Sequence, residues 1–408
     1  MMKFFDALGA RIESAWRQVD YDEARFPAIA ARALREAPPS REVGQREVVR
    51  WLLEADVLPP QDDLAATFGD PPVTVYSGRR FFIQVLLWLE GSTSIHRHGF
   101  SGAFHVLDGV SLHARWAFQA RRRVSARFLI GELRLEGAEA LERGDVVEIT
   151  NDLTHALFHL ETPSATVVVR TYAEDEAGPQ YEYLPPGLAL DPFHDDPVLT
   201  RKLQGIRFAC RIDPAAGFEM ASALIERSDL HTCFAVLELA QHARGGPAQM
   251  APLLAAARRR HGEVVDDLAA ALHEALRASK LRHLRAAQHD EELRFFLALL
   301  QNLPDRNAIF AQVRRRFPGA DARAKVEAWT RALSGTEVIG VNLDDAATGH
   351  LFGALLDGCS FPATLERLER VFSPAEVRAK ADALAHHRER VCRTALGPLF
   401  RAAPAARP

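Results

Sequence analysis

Residues 80–109 read RFFIQVLLWLEGSTSIHRHGFSGAFHVLDG. A run of aromatic and branched apolar residues breaks at Gly91 and resumes after Ser94 with two histidines one residue apart. Side chains two apart in an extended chain point to one face, so His96 and His98 project together while Arg97 points away. One His-x-His among sixteen histidines is a weak signal. A second stretch, GDVVEITNDLTHALFHLETPSATVVVRTY at 144–172, strengthens it by placing His155 and His159 four apart in another strand-like run. Two strands that each offer imidazoles to one interior can assemble a three-nitrogen face around a metal ion.

The flanking texture sets the architecture. VTVYSG, RRFFIQVLLWLEG, GAFHVLDG, VSLHARWAFQA, ARFLIGELRLEG, DVVEIT, HALFHLE and ATVVVRTYAE are short β-rich runs punctuated by Gly, Pro, Asp and Asn. Evenly spaced runs of this kind predict an antiparallel barrel or sandwich. Upstream, FPAIAARALREA and REVVRWLLEADV repeat apolar residues three and four apart around the breaker APPS, which predicts helices. PPGLALDPF is a Pro-rich exit, and ALHEALRASKLRHLRAAQ, ELRFFLALLQNL and ATLERLERVF return to helical periodicity. The expectation is an α+β multidomain chain: a helical lead-in at 1–60, a β-barrel at 61–195 and an all-α domain at 196–408.

Composition narrows the partners. The 50 basic and 54 acidic side chains leave a net charge of −4, with no basic stripe, so neither nucleic acid nor an anionic membrane surface is expected. No apolar run approaches the roughly 20 residues of a membrane span, and the N-terminal segment lacks a signal-peptide pattern, which predicts a cytoplasmic protein. Cys210, Cys233, Cys359 and Cys392 are widely separated, as reduced thiols are.

The stretch 80–172 resembles the cupin superfamily and, within it, the thiol dioxygenases of the cysteine dioxygenase type. In their first motif a Trp-bearing strand passes a Gly-rich turn into Ile-His-x-His and closes at a glycine; Trp88, Gly91, Ile95, His96, His98 and Gly109 fill those places. The glutamate that many cupins carry just after His-x-His is absent, as it is in the thiol dioxygenases. The resemblance implies a double-stranded β-helix barrel holding Fe(II) through His96, His98 and His155, although three imidazoles accept other divalent metals too. It also implies an active-site phenol 17 positions after the third ligand, where Tyr172 stands. Ala103 takes the place of a cysteine that some members cross-link to that tyrosine, and Val168 and Arg170 replace the family's serine and histidine. The family's carboxylate-binding arginine lies upstream of Trp88, where Arg79 and Arg80 are the nearby candidates.

A site of three neutral ligands keeps the full charge of a divalent ion and so favours a substrate that arrives as a thiolate, enolate or carboxylate. In this reading Tyr172 donates a hydrogen bond at the open positions, and His159 sits behind the ligands as an orienting group or base. Arg79, Arg80, Arg170 and Trp88 contact the substrate. The plainer alternatives are hairpin charges for Arg79 and Arg80 and barrel core for Trp88 and Tyr172. His105 and His113 read as packed or solvent-facing side chains. His283 with His289, Glu238 with His242, and His386 with His387 read as solvated helical faces. The expected function is an iron-dependent dioxygenase acting on a small-molecule or peptide substrate, thiol oxidation being the default. The alternative is a non-catalytic metal- or ligand-binding cupin whose helical half binds a partner protein or forms a homodimer.

Overall fold

A computed structural model describes all residues except 62–67, 90–92, 173–177, 194–195, 243–246 and 403–408; Gly91 of the first motif lies outside the described residues. Among the described residues the chain forms the expected closed antiparallel barrel, preceded by helices and followed by a helical region. Strands β1 (Pro72–Ser77), β2 (Phe81–Trp88), β4 (Gly102–Asp108), β7 (Val146–Ile149) and β9 (Ser164–Thr171) make a five-stranded sheet in the order β1-β2-β9-β4-β7. Strands β3 (Ile95–Arg97), β5 (Ser111–Ser125), β6 (Phe128–Leu141), β8 (Thr154–His159), β10 (Glu182–Leu184) and β11 (Leu188–Leu190) close on themselves in the order β10-β11-β6-β5-β8-β3. The stretch read as a Pro-rich exit therefore holds a strand, β11, and β10 comes just before it. β10 pairs with β3 through Glu182 and His96, and that ladder closes the ring.

The chain divides into two compact units, Met1–Glu136 with Ala140–Ala275, and Gly137–Glu139 with Leu276–Pro408. In the first unit, α1 (Met2–Arg17) buries Phe5, Leu8, Ile12 and Trp16 along one stripe, and α2 (Phe26–Glu36) buries Phe26, Ile29, Ala30 and Leu34. Both stripes share a core with Val73, Val75, Phe81, Ile83, Val85, Val167 and Val169 of β1, β2 and β9. Each large side chain so buried contributes about 1.5–3 kcal/mol. Gly9 permits the close approach, because a Cβ there would lie 2.4 Å from the ring of Tyr76. Two short helices, α3 (Pro39–Glu42) and α4 (Gln45–Glu54), complete the lead-in. Gly109 ends β4 at φ +84°, the left-handed region that favours glycine, and so turns the chain directly into β5.

Beyond the barrel, α5 (Pro197–Ile212), α6 (Pro214–Ile225), α7 (Leu230–His242), α8 (Pro247–His261) and α9 (Val265–Ala286) follow. Ile206, Leu224, Phe234, Leu237 and Leu268 from these helices pack on Phe128, Ile130 and Leu188 of β6 and β11. The second unit includes α10 (Glu291–Asn302), α11 (Arg306–Arg316), α12 (Ala322–Ala332), α13 (Ala346–Leu356), α14 (Phe361–Glu369), α15 (Pro374–Ala379) and α16 (Ala381–Cys392). Asp290, Asp305, Asp321, Asp345 and Ser360 each accept a backbone N–H at a helix start, which caps five of them in sequence-readable fashion. No helix among the described residues is long and apolar enough to cross a membrane.

Candidate metal centre

β3 and β8 run antiparallel with His96 and His155 as direct partners, so their side chains stand side by side on the inner face. His98 follows β3 by one residue and turns inward with His96, as the two-residue period requires. Their ligating nitrogens lie within 4.8 Å of one another, and all three imidazoles are buried. His98 Nε2 and His155 Nε2 are 2.8 Å apart. Two nitrogen ligands on neighbouring octahedral corners, each about 2.1 Å from an ion, stand roughly 3 Å apart. The trio therefore fits a divalent metal, and this buried triad can hold one.

The nitrogens are held as lone-pair donors by their surroundings. His96 Nδ1 lies 2.8 Å from the Ser94 carbonyl oxygen, which only accepts, so the ring proton sits on Nδ1 and Nε2 is left bare. Burial pushes the His96 pKa down to about 4, only partly opposed by that bond. His98 and His155 fall well below the ordinary imidazole value, first through burial and then because an added proton would meet the neighbouring rings and cation, His96 before Arg170 at His98, and His96 and His98 before His113 at His155. Neutral imidazoles at pH 7 are the form a metal needs. Aromatic rings surround the trio: Phe68 is 5.1 Å from His96, Phe100 4.5 Å from His98 and Phe104 6.2 Å from His155.

The trio opens onto a cavity of about 950 Å³. Phe82, Leu86, Phe100, Phe104, Leu157 and Val168 give it apolar walls. Apart from the histidines and two tyrosine phenols, Arg170 and Glu182 are the ionisable side chains among its described lining residues. The Arg170 guanidinium lies 3.5 Å over the Phe100 ring and 5.2 Å from that of Phe82. This stacking holds a cation against an apolar wall. Glu182 is the register partner of His96 on its other side; burial raises its pKa, Glu238 adds to the rise, and a hydrogen bond from Ser94 opposes it.

Of the other residues singled out in the sequence, Trp88 and Tyr172 line the cavity with Arg170. Trp88 donates its indole N–H to Thr166 Oγ1 at 3.2 Å. The Tyr172 hydroxyl donates to the Gly78 carbonyl at 3.0 Å and lies 3.2 Å from Ser77 Oγ. Arg79 and Arg80 are exposed and are not among the lining residues; Arg80 instead covers the Tyr21 ring at 4.2 Å. His159 is buried behind Trp88, with rings stacked at 4.5 Å, and its Nδ1 lies 2.9 Å from Ser111 Oγ and 2.8 Å from Ser164 Oγ. It shares a face with His155, but four residues of strand separate the two by roughly 13 Å, beyond the reach of one ion.

Two residues near the trio were not assigned a role from the sequence. His113 Nε2 lies 3.0 Å from His155 Nδ1. Glu182 stands beside His96. Both depend on strand register, and the visible signal was only a polar residue at an inward position of an apolar run, as in VSLHARW and YEYL.

No protein-family model matches the chain, and no curated protein matches it. Solved structures resemble part of it. Hydroquinone 1,2-dioxygenase from Sphingomonas sp. TTNP3 is 15% identical over 27% of this chain and 70% of its own, with a TM-score of 0.21. A cupin-2 domain protein from Shewanella frigidimarina is 13% identical over 26% and 86%, with a TM-score of 0.19. A double-stranded β-helix protein from Klebsiella pneumoniae is 13% identical over 34% and 93%, also at 0.19. The chemistry of the centre has therefore to come from its own side chains.

Proposed function

We propose that the chain is a mononuclear non-haem iron(II) dioxygenase of the cupin class acting on an anionic substrate with an apolar body. The observation that carries this reading is the convergence of three buried, neutral imidazoles at one end of an apolar cavity, with no carboxylate in the trio. Iron(II) held there supplies a Lewis acid for the substrate anion and one-electron chemistry with dioxygen. Because the ligands bring no negative charge, a thiolate, enolate or carboxylate is the group whose charge completes the site.

Thiol oxidation is the default chemistry. A thiolate and one O2 give a sulfinate: both oxygen atoms enter the product, sulfur gives up four electrons, and no external reductant is consumed. The cavity volume falls at the upper end of the range for drug-sized ligands, which favours a substrate larger than a free amino acid. Arg170 pairs with a second anionic group on that substrate and the ring-lined walls take its apolar body. Trp88, braced from behind by His159, forms part of the wall, and the collar of Phe68, Phe100 and Phe104 keeps water from the trio. Tyr172, whose one proton goes to the Gly78 carbonyl, fixes the wall there.

The test is oxygen consumption by protein loaded with Fe(II) under anaerobic conditions, across thiols, aromatic acids and aliphatic carboxylates. Stoichiometric uptake with one class supports the reading. Iron-loaded protein that binds these anions yet consumes no oxygen sinks it and leaves a binding cupin.

A further inference from the structure

We propose that His113 is a positioning residue for the metal centre: His155 donates its Nδ1–H to His113 Nε2, which fixes the His155 tautomer and aims its bare Nε2 into the trio. This rests on reading the trio as a metal site. The two nitrogens are 3.0 Å apart and both rings are buried, so water does not compete for the bond. His155 has two ring nitrogens and, when neutral, one proton; a partner at Nδ1 decides where that proton sits. The ladder between β5 and β8 pairs His113 with Leu157 and Arg115 with His155, which brings the His113 ring diagonally beside that of His155. The Phe104 ring packs edge-on against His113 at 6.0 Å and keeps it in place.

The same logic operates at His96, where the partner is the Ser94 carbonyl. Metal-binding histidines commonly lean on a carboxylate, a carbonyl or water, and loss of such a partner typically weakens metal binding 10- to 100-fold. An imidazole in that place is the uncharged choice. With Ser94 O behind His96 and His113 behind His155, neither partner adds a negative charge to its ligand.

The experiment measures Co(II) affinity and the visible spectrum of the Co(II)-loaded full chain for wild type, His113→Phe and His113→Gln, with circular dichroism as the check on folding. His113→Phe is expected to bind Co(II) 10- to 100-fold more weakly with an altered spectrum, and His113→Gln, whose amide oxygen can still accept from Nδ1–H, to recover most of both. Equal affinity and spectrum in wild type and His113→Phe, or a folded His113→Gln as weak as His113→Phe, overturns the proposal. Nitrogen-15 NMR of the Zn(II)-loaded wild type supplies a second arm that needs no variant. An Nδ1–H tautomer at His155 supports the proposal, and an Nε2–H tautomer overturns it. Wild-type protein that takes up no Co(II) removes the metal site and this role with it. Failure of the dioxygenase reading alone leaves these metal-binding differences standing.

Discussion

His96 and His155 are register partners across the β3–β8 ladder, so two residues 59 positions apart in the chain are fixed as lateral neighbours by backbone hydrogen bonds. The trio is thereby pre-organised by the sheet before any ion arrives, and removal of one member leaves the others in place.

His155→Ala should accordingly fold but lose metal. Its affinity for Fe(II) or Zn(II) is expected to fall more steeply than the roughly 10- to 100-fold typical of lost supporting contacts. His159→Ala is expected to keep its metal while losing about 2–4 kcal/mol of stability, because it leaves a void behind Trp88 and strands the hydroxyls of Ser111 and Ser164. Elemental analysis of the two purified variants, with denaturant unfolding, separates a ligand from a brace. Equal metal content in both variants would contradict the assignment.

Arg170 tests the substrate's charge. Arg170→Met keeps much of the side-chain length over Phe100 and Phe82 but removes the cation. A charge-assisted hydrogen bond contributes about 1.5–3 kcal/mol, so binding of an anionic substrate should weaken on the order of 10- to 100-fold while bound metal stays constant. Calorimetric titration of the Zn(II)-loaded variant reads this without turnover; unchanged affinity for every anion that binds wild type would show that Arg170 only packs.

Acid should destabilise the first unit through its buried histidines. The Ser40 N–H donates to His105 Nε2 at 3.2 Å, and burial holds the His105 pKa at about 4, with Arg143 also lowering it and Asp145 opposing. A folded value below the unfolded value of about 6.5 means the unfolded chain takes up the proton first. Stability is thus full above about pH 6.5 and is lost as pH falls toward 4, at no more than about 1.4 kcal/mol per pH unit for each such histidine. His96, near 4, and His159, near 3, add to the slope in metal-free protein. His105→Gln retains an acceptor that does not titrate, so urea midpoints between pH 4 and 6.5 should fall less steeply than in wild type. Parallel pH profiles would show that His105 does not contribute.

Metal should stabilise the fold by mass action. At a free concentration 100 times the dissociation constant, a bound ion adds about 2.7 kcal/mol, and a chelator should reverse the gain. Thermal unfolding with and without Zn(II) measures it. A transition insensitive to Zn(II) would place any binding outside the folded trio.

Much of this centre was legible because its decisive residues lie in short local patterns. His96-x-His98 needs only the two-residue period of a strand, and the place of His155 followed from the resemblance of the surrounding stretch. Other features depend on distance along or across the sheet. His155 and His159 share a face, but the period alone does not say that four residues of strand carry the second imidazole behind Trp88. His113 touches His155 only through the β5–β8 register, which no single stretch encodes. β10 and β11 are three residues each, too short for a period to show, and the prolines and glycine between them read as a linker. Arg79 and Arg80 looked like anion binders by position, whereas the hairpin turns both to the surface.

The closure of the barrel by β10 against β3 also sets an order of assembly during synthesis. All three histidines are in the chain once residue 155 has been added, yet β3 gains its second neighbour only when residues 182–184 follow. A nascent chain halted near residue 172 carries every ligand on an unsealed ribbon. The ladder that sets the ligands side by side thus precedes the segment that shuts the ring around them.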